Sequence, residues 1–267
     1  MREFTFGQYY PGESVIHKLD SRVKILLTIA FIVAVFLVED FAGFLLPIGF
    51  LAVVYALSKM PIKVVIGTLK PVLVLVIITA VLNLLFYSSG EIIFEWAFIK
   101  IRDEALEFCA FMALRLILLV LGSSVMTLTT QPVELSDGLE SLLTPLKWVK
   151  FPVHELALIM SIALRFIPTL TNEADRIIKA QMARGADFES GNLFAKAKAL
   201  IPILIPLLVS SFRRADELAD AMDARCYSGG KTRTKYKQFH LTFNDLLAVL
   251  CMVALFMLII VANSLAI

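Results

Sequence analysis

Five stretches of the chain are apolar almost without interruption: 23–38, 41–57, 71–87, 105–129 and 246–263. About 17 to 25 such residues cross the hydrocarbon of a bilayer as a helix, so each stretch is read as a spanning helix. The first is short, and Arg22 and Lys24 at its start can snorkel to the interface. Between the fourth and fifth stretches the pattern changes. Residues 133–149 carry the spacing of a short amphipathic helix. Residues 154–188 and 192–230 each predict one long helix that is oily in its first half and charged every third or fourth residue in its second. Pro168 interrupts the first of these near the changeover, and Pro202 and Pro206 lie in the oily half of the other. The run 199–209 is too short to span easily and reads as re-entrant, interfacial or protein-buried.

This pattern predicts an all-α integral membrane protein. It has about five transmembrane helices and, between the fourth and fifth, a region of one short and two long helices, which the resemblance given below makes a coupling domain. The organisation is residues 1–129, a juxtamembrane segment and four spans; 130–243, a cytoplasmic or interfacial domain; and 244–267, the last span. Charge sets the orientation. Arg2, Lys18, Arg22 and Lys24 precede the first span, and Lys59, Lys63 and Lys70 follow the second. Residues 130–243 hold 15 Lys and Arg, whereas the alternating loops hold few. The N-terminus and the 130–243 region are therefore expected in the cytoplasm of a cell-membrane protein, with the C-terminus outside. If the oily halves of both long helices also crossed, the count would be seven and the outside end would be the same.

Composition narrows the function. The chain is 59% hydrophobic with a mean hydropathy of +0.83, well above a soluble domain of its 267 residues. A net charge of +2 gives no field for nucleic acid. The opening residues are polar and mixed, so no cleavable signal peptide is expected. Cys109, Cys226 and Cys251 are far apart, without metal-ligand or disulfide spacing. His17, His154 and His240 are scattered, and no catalytic, cofactor or metal constellation emerges. Residues 229–232, Gly-Gly-Lys-Thr, lack the earlier glycine of a phosphate loop, because that position is Arg225. A basic linker is the simpler reading. Arg115 lies near mid-membrane in the fourth span, where a bare guanidinium is costly. It reads either as a strut between helices, with Asn83 as a candidate partner, or as a transport residue. Gly122-Ser123-Ser124 reads as a close helix-packing face.

The charged ends of the two long helices align without gaps at an offset of 41 residues, 173–185 on 214–226. Ala174, Asp175, Ala180, Ala183 and Arg184 recur as Ala215, Asp216, Ala221, Ala224 and Arg225. Two charged helix ends of similar composition will share alanines, and an arginine in a last turn suits the helix dipole. The alternative is a matched pair of ends, Ala183-Arg184-Gly185 and Ala224-Arg225-Cys226. Each would project a guanidinium from a slim tip into a groove and fork it onto a carboxylate. Gly185 and Gly229-Gly230 are compatible with C-terminal caps.

The two Ala-Arg-small motifs, with the stretch FGQYYPGESVIHKLDSRVK at 6–24, resemble the transmembrane (T) component of energy-coupling factor (ECF) transporters of the shared type. The resemblance covers essentially the whole chain. Ser21 stands where the family usually has proline, and Cys226 is an uncommon small residue in the second motif. The resemblance implies a non-catalytic subunit of an ATP-driven importer of vitamins or other micronutrients. Its helix ends dock two ATP-binding-cassette (ABC) ATPases, which handle the ATP. It passes their motion to a small substrate-binding membrane subunit. By carry-over, Ala183, Arg184, Gly185, Ala224, Arg225 and Cys226 form the ATPase-docking ends. The implied partners are the two ATPases, the substrate-binding subunit and the lipid bilayer. The alternatives are a T component dedicated to cobalt, nickel or biotin, and a transporter acting alone.

Overall fold

The computed structural model of the chain describes residues 9–86, 92–96, 99–149, 152–186, 193–227 and 241–266. Its helices are α1 (Ser21–Phe36), α2 (Leu45–Ser58), α3 (Ile62–Phe86), α4 (Asp103–Thr129), α5 (Pro132–Leu143), α6 (Val153–Ala183), α7 (Leu193–Ala224) and α8 (Phe243–Ala266). The architecture is all-α, as the periodicity predicts. One small addition is an antiparallel hairpin before α4, β1 (Ile92–Trp96) and β2 (Ile99–Arg102), paired through Glu95 with Lys100 and Trp96 with Ile99. The chain divides into two units, Met1–Leu142 with Gln238–Ile267, and Leu143–Lys237.

Each expected span falls on a helix, but among the described residues the helices long and apolar enough to cross a membrane are α3, α4, α6 and α8. So α1 and α2 are shorter than expected, and α6, placed outside the five spans by the sequence, qualifies. The α1 helix has 16 residues, a rise of roughly 24 Å against about 30 Å of hydrocarbon. The largest departure is α3, which begins at Ile62 rather than at Pro71 and carries that proline inside. A proline there removes the hydrogen bond to the Gly67 carbonyl, a defect that membrane helices tolerate where side chains and neighbours re-satisfy the backbone. Lys63 and Lys70 therefore sit on the helix and not in a loop.

In the first unit the core forms where α1, α2, α4 and α8 meet, around Phe31, Val35, Phe44, Leu51, Leu118, Met252 and Ile259. The small face of α4 permits this approach. A Cβ on Gly122 would run into the Phe31 ring, and Ser124 Oγ shares a 2.7 Å hydrogen bond with the Tyr55 hydroxyl, which also donates to the Leu121 carbonyl. The outer faces stay apolar and exposed, with Leu26, Ile29 and Val33 on α1 and Val253, Met257 and Ile260 on α8. Such faces suit hydrocarbon.

Arg115 acts as a strut in this unit. Its Nη2 donates to the Val38 carbonyl at 2.7 Å, beyond the end of α1, and Asn263 Nδ2 donates to the Leu37 carbonyl at 2.7 Å. The partner is this backbone carbonyl and not Asn83, because the last turn of a helix leaves carbonyls without intrahelical donors. The guanidinium carbon lies 4.7 Å from the Phe111 ring centre and 5.7 Å from that of Phe36.

The second unit holds α6 and α7 with the 3-10 stretch Thr144–Val149. Both long helices run unbroken through their prolines, Pro168 in α6 and Pro202 and Pro206 in α7. Their oily halves are largely uncovered. Ile159 is 61% exposed and Phe212 69%, and Leu200, Leu204, Ile205 and Leu208 are each half-exposed or more.

Candidate functional site

The two arginine ends are built by the same backbone device. The α6 helix stops at Ala183, with Arg184 as its C-cap at φ −89°, ψ 7°. Gly185 then turns left-handed at φ +85°. Its N–H donates to the Met182 carbonyl at 3.0 Å, and the Ala186 N–H reaches back to the Gln181 carbonyl at 3.0 Å. This pair of bonds is a Schellman motif, which satisfies carbonyls that a helix end leaves free.

Forty-one residues on, the geometry repeats. The α7 helix stops at Ala224, and Arg225 occupies the cap position. Cys226 turns left-handed at φ 56°, its N–H donating to the Asp223 carbonyl at 2.9 Å. The Tyr227 N–H donates to the Met222 carbonyl at 3.1 Å. The second helix is therefore capped by Cys226 itself. The glycines offered for that role by the sequence, Gly229 and Gly230, lie outside the described residues, as does the whole Gly-Gly-Lys-Thr stretch. Local sequence hides this cap, because a non-glycine residue at positive φ carries a penalty of about 1 kcal/mol that only the finished hydrogen-bond pattern explains.

The small residue after each arginine thus has a backbone reason. At Gly185 there is open space around an added Cβ, with nothing within 4 Å, so the constraint is the torsion angle and not crowding. The caps turn the chain sharply away after each arginine. Arg184 and Arg225 are both exposed, and among the described residues neither guanidinium has a hydrogen-bond or ion-pair partner. Ala183 and Ala224 are exposed beside them.

The two helices are tied together upstream of their ends. Arg214 Nη2 on α7 meets Glu173 Oε2 on α6 at 2.9 Å. Each of these residues lies 11 positions before its own cap arginine, a rise of about 16 Å in helix. The structure therefore brings the two repeats together at one equivalent position and presents two chemically alike tips at equal distances along the helices from it. The alignment contained this signal as a column of opposite charge, glutamate above arginine. Among the described residues no acid–base set appears at either tip, and no cluster of His, Cys, Asp or Glu is suited to hold a metal ion.

Sequence comparisons agree with this architecture. A family model described as CbiQ, cobalt transport protein, matches residues 12–236. A relative from Clostridium kluyveri is 52% identical over 257 residues, covering 96% of this chain and 95% of its own length. A Lactococcus lactis subsp. cremoris relative is 45% identical over 260 residues, 97% and 98% of the two chains. One from Bacillus subtilis is 44% identical over 255 residues, 96% of each. All three are named energy-coupling factor transporter transmembrane protein EcfT. With its long apolar helices, the chain belongs to this family of multi-pass membrane proteins, the transmembrane components of energy-coupling factor transporters.

Proposed function

We propose that the chain is the non-catalytic energy-coupling scaffold of an ECF-type ABC importer. Arg184 and Arg225 dock two ATPase subunits, which bind and hydrolyse the ATP. The α6 and α7 helices pass the resulting motion to a small substrate-binding membrane subunit that takes up a vitamin or another micronutrient. The observation that carries this reading is the pair of matched Schellman caps, each presenting an exposed arginine that has no partner among the described residues. A guanidinium forks onto a carboxylate in a way lysine does not, and small neighbours let it enter a groove. The uncovered apolar halves of α6 and α7 suit a membrane partner that is exchanged rather than permanent. The balance of Lys and Arg supports a cytoplasmic N-terminus and coupling domain.

Purification of the tagged full chain from its native membrane tests the proposal. Two ATPases and at least one small membrane protein are expected to accompany it, and the Arg184→Glu, Arg225→Glu double variant is expected to lose the ATPases. A chain that comes down alone and binds a solute by itself overturns the reading, as does full ATPase assembly by the double variant. Outside labelling of Ser190→Cys overturns the orientation.

The description of the matching family model favours a second reading, a component dedicated to cobalt. The opening stretch 6–24, with its match to the shared type, favours the first. Recovery of several different small membrane subunits supports the shared type, and recovery of one metal-selective subunit supports the other.

A further inference from the structure

The caps and their arginines are alike, but the turns of helix that lead to them are not. Glu173 and Arg214, which join α6 to α7, form one of three columns of opposite charge in the 41-residue alignment. Arg176 stands over Glu217, and Lys179 over Asp220. Each column lies three residues beyond the last, so the three run along the helices toward the tips. The first is closed inside the molecule by its 2.9 Å ion pair. The other two are not. Arg176, Lys179, Glu217 and Asp220 are all exposed, and among the described residues none has a hydrogen-bond or ion-pair partner. Opposite charges that served only to hold the two helices together would close these columns as they close the first.

The open columns lead into the docking ends. Arg176, Lys179 and Ala183 follow one another at i, i+3 and i+7, which places them on one side of α6. Glu217, Asp220 and Ala224 have the same spacing on α7. The two charges precede each cap arginine by eight and five residues, a rise of about 12 and 7.5 Å along the helix. A groove that receives the arginine therefore has its rim beside them.

The neighbouring residues widen the contrast. Over 175–183, α6 carries one acid and two bases; over the equivalent 216–224, α7 carries four acids and no base. This arrangement works against α7 itself. Asp220 stands one turn from Asp216, Glu217 and Asp223, and like charges at those spacings repel. Asp223 lies in the last turn, beside carbonyls that favour a cation. The isolated helix gains nothing from acids so placed, whereas a basic surface brought against them turns the repulsion into attraction.

We infer that these charges address the two tips to different ATPase surfaces. The α6 tip, with Arg176 and Lys179, takes the ATPase whose groove has an acidic rim. The α7 tip, with Glu217 and Asp220, takes the one whose rim is basic. Arg184 and Arg225 supply a grip common to both and so bind without choosing. The four flanking charges choose, because the wrong rim would set like charges together. The inference rests on the proposed docking of two ATPases and deepens it by naming the residues that decide which ATPase goes to which tip.

Cross-linking in the complete complex tests the inference, with the full chain expressed beside its ATPases and small membrane subunits. A photoreactive residue replaces Ala180 or Ala221, equivalent exposed positions next to Lys179 and Asp220. Each site is expected to link one ATPase over the other by about tenfold or more, and the two sites are expected to prefer opposite ATPases. Exchanging the charges (Arg176→Glu, Lys179→Asp, Glu217→Arg, Asp220→Lys) is expected to exchange the ATPases. The milder pair Glu217→Gln, Asp220→Asn is expected to bring the preference at Ala221 down toward one to one, and it decides the matter where the exchanged chain fails to assemble. Recovery of a single kind of ATPase, or equal linking of both kinds at both sites, overturns the address and leaves the docking role standing. An unaltered preference in the exchanged chain or in the neutral pair does the same. Linking of neither site to any ATPase overturns the docking role and the address with it.

Discussion

Glu173 and Arg214 meet at 2.9 Å across α6 and α7, and they are the same position of a 41-residue repeat. Equivalent positions of the two repeats therefore touch. At such a point two identical charges would repel. The repeat therefore breaks its own identity here, glutamate in one copy and arginine in the other. The pair is about one-third exposed on each side, so its worth is modest.

Its removal is expected to matter little for stability and more for how the tips are held. Glu173→Ala is expected to cost about 0.5 kcal/mol. Glu173→Arg alone places two cations together and is expected to weaken ATPase capture, and Glu173→Arg with Arg214→Glu is expected to restore it. Thermal melting and co-purification with the ATPases of the proposed complex measure this. Failure of the charge swap to recover capture would show that the pair does not set the spacing of the tips.

The two caps share one left-handed position, so adding a side chain at one and removing it at the other are expected to act in opposite directions. Gly185→Ala adds a methyl to open space, yet it forces a side chain to φ +85° and is expected to destabilise the end of α6 by about 1 kcal/mol. Cys226→Gly relieves the left-handed residue of α7 and is expected to stabilise that end by a similar amount. Hydrogen exchange at the Ala186 and Tyr227 amides, the donors that close the two motifs, reads each effect locally. Equal effects of one sign at both ends would count against the common cap.

Gly122 predicts a purely steric failure. Its Cβ would enter the Phe31 ring, so Gly122→Ala is expected to lower stability by about 1 to 3 kcal/mol. Adding Phe31→Leu, which trims the ring, is expected to recover a large part of the loss. Melting curves of the single and double variants in detergent decide the matter, and an additive pair would show that the two residues do not meet.

Arg115 is expected to behave as a strut. Arg115→Met leaves the Val38 carbonyl without its donor and is expected to cost about 1 to 3 kcal/mol. Arg115→Lys keeps a donor but loses the guanidinium held over the Phe111 ring, and is expected to fall between. Uptake per folded molecule is expected to stay near that of the unmodified chain in both. A loss of uptake with unchanged melting would identify Arg115 as part of a transport path.

Much of this molecule was legible in its amino-acid pattern. The apolar runs foretold the helices that fill the first unit, because hydrocarbon tolerates only backbones that satisfy themselves within a segment. The change from oily to charged within 154–188 and 192–230 foretold α6 and α7, and the alignment of their ends foretold a common geometry for Arg184 and Arg225. Helical period, capping and charge are local properties, readable within a few turns. The start of α3 was misplaced because proline is a strong stop signal in water and a weaker one in a membrane helix packed beside its neighbour.

What the tertiary structure alone decided are contacts between residues far apart in the chain. Arg115 chose the Val38 carbonyl, 77 positions away, and Asp20 chose Asp245 at a separation of 225. Ser141 accepts from Arg22 at a separation of 119, and Gly138 comes up against Ser21. Sequence determines most of where this chain is helical, since those energies are settled within a turn or two. Which ends meet, and which carbonyl a buried charge satisfies, follows from packing the helices together, where an unpaired polar group costs more than any local preference can offset.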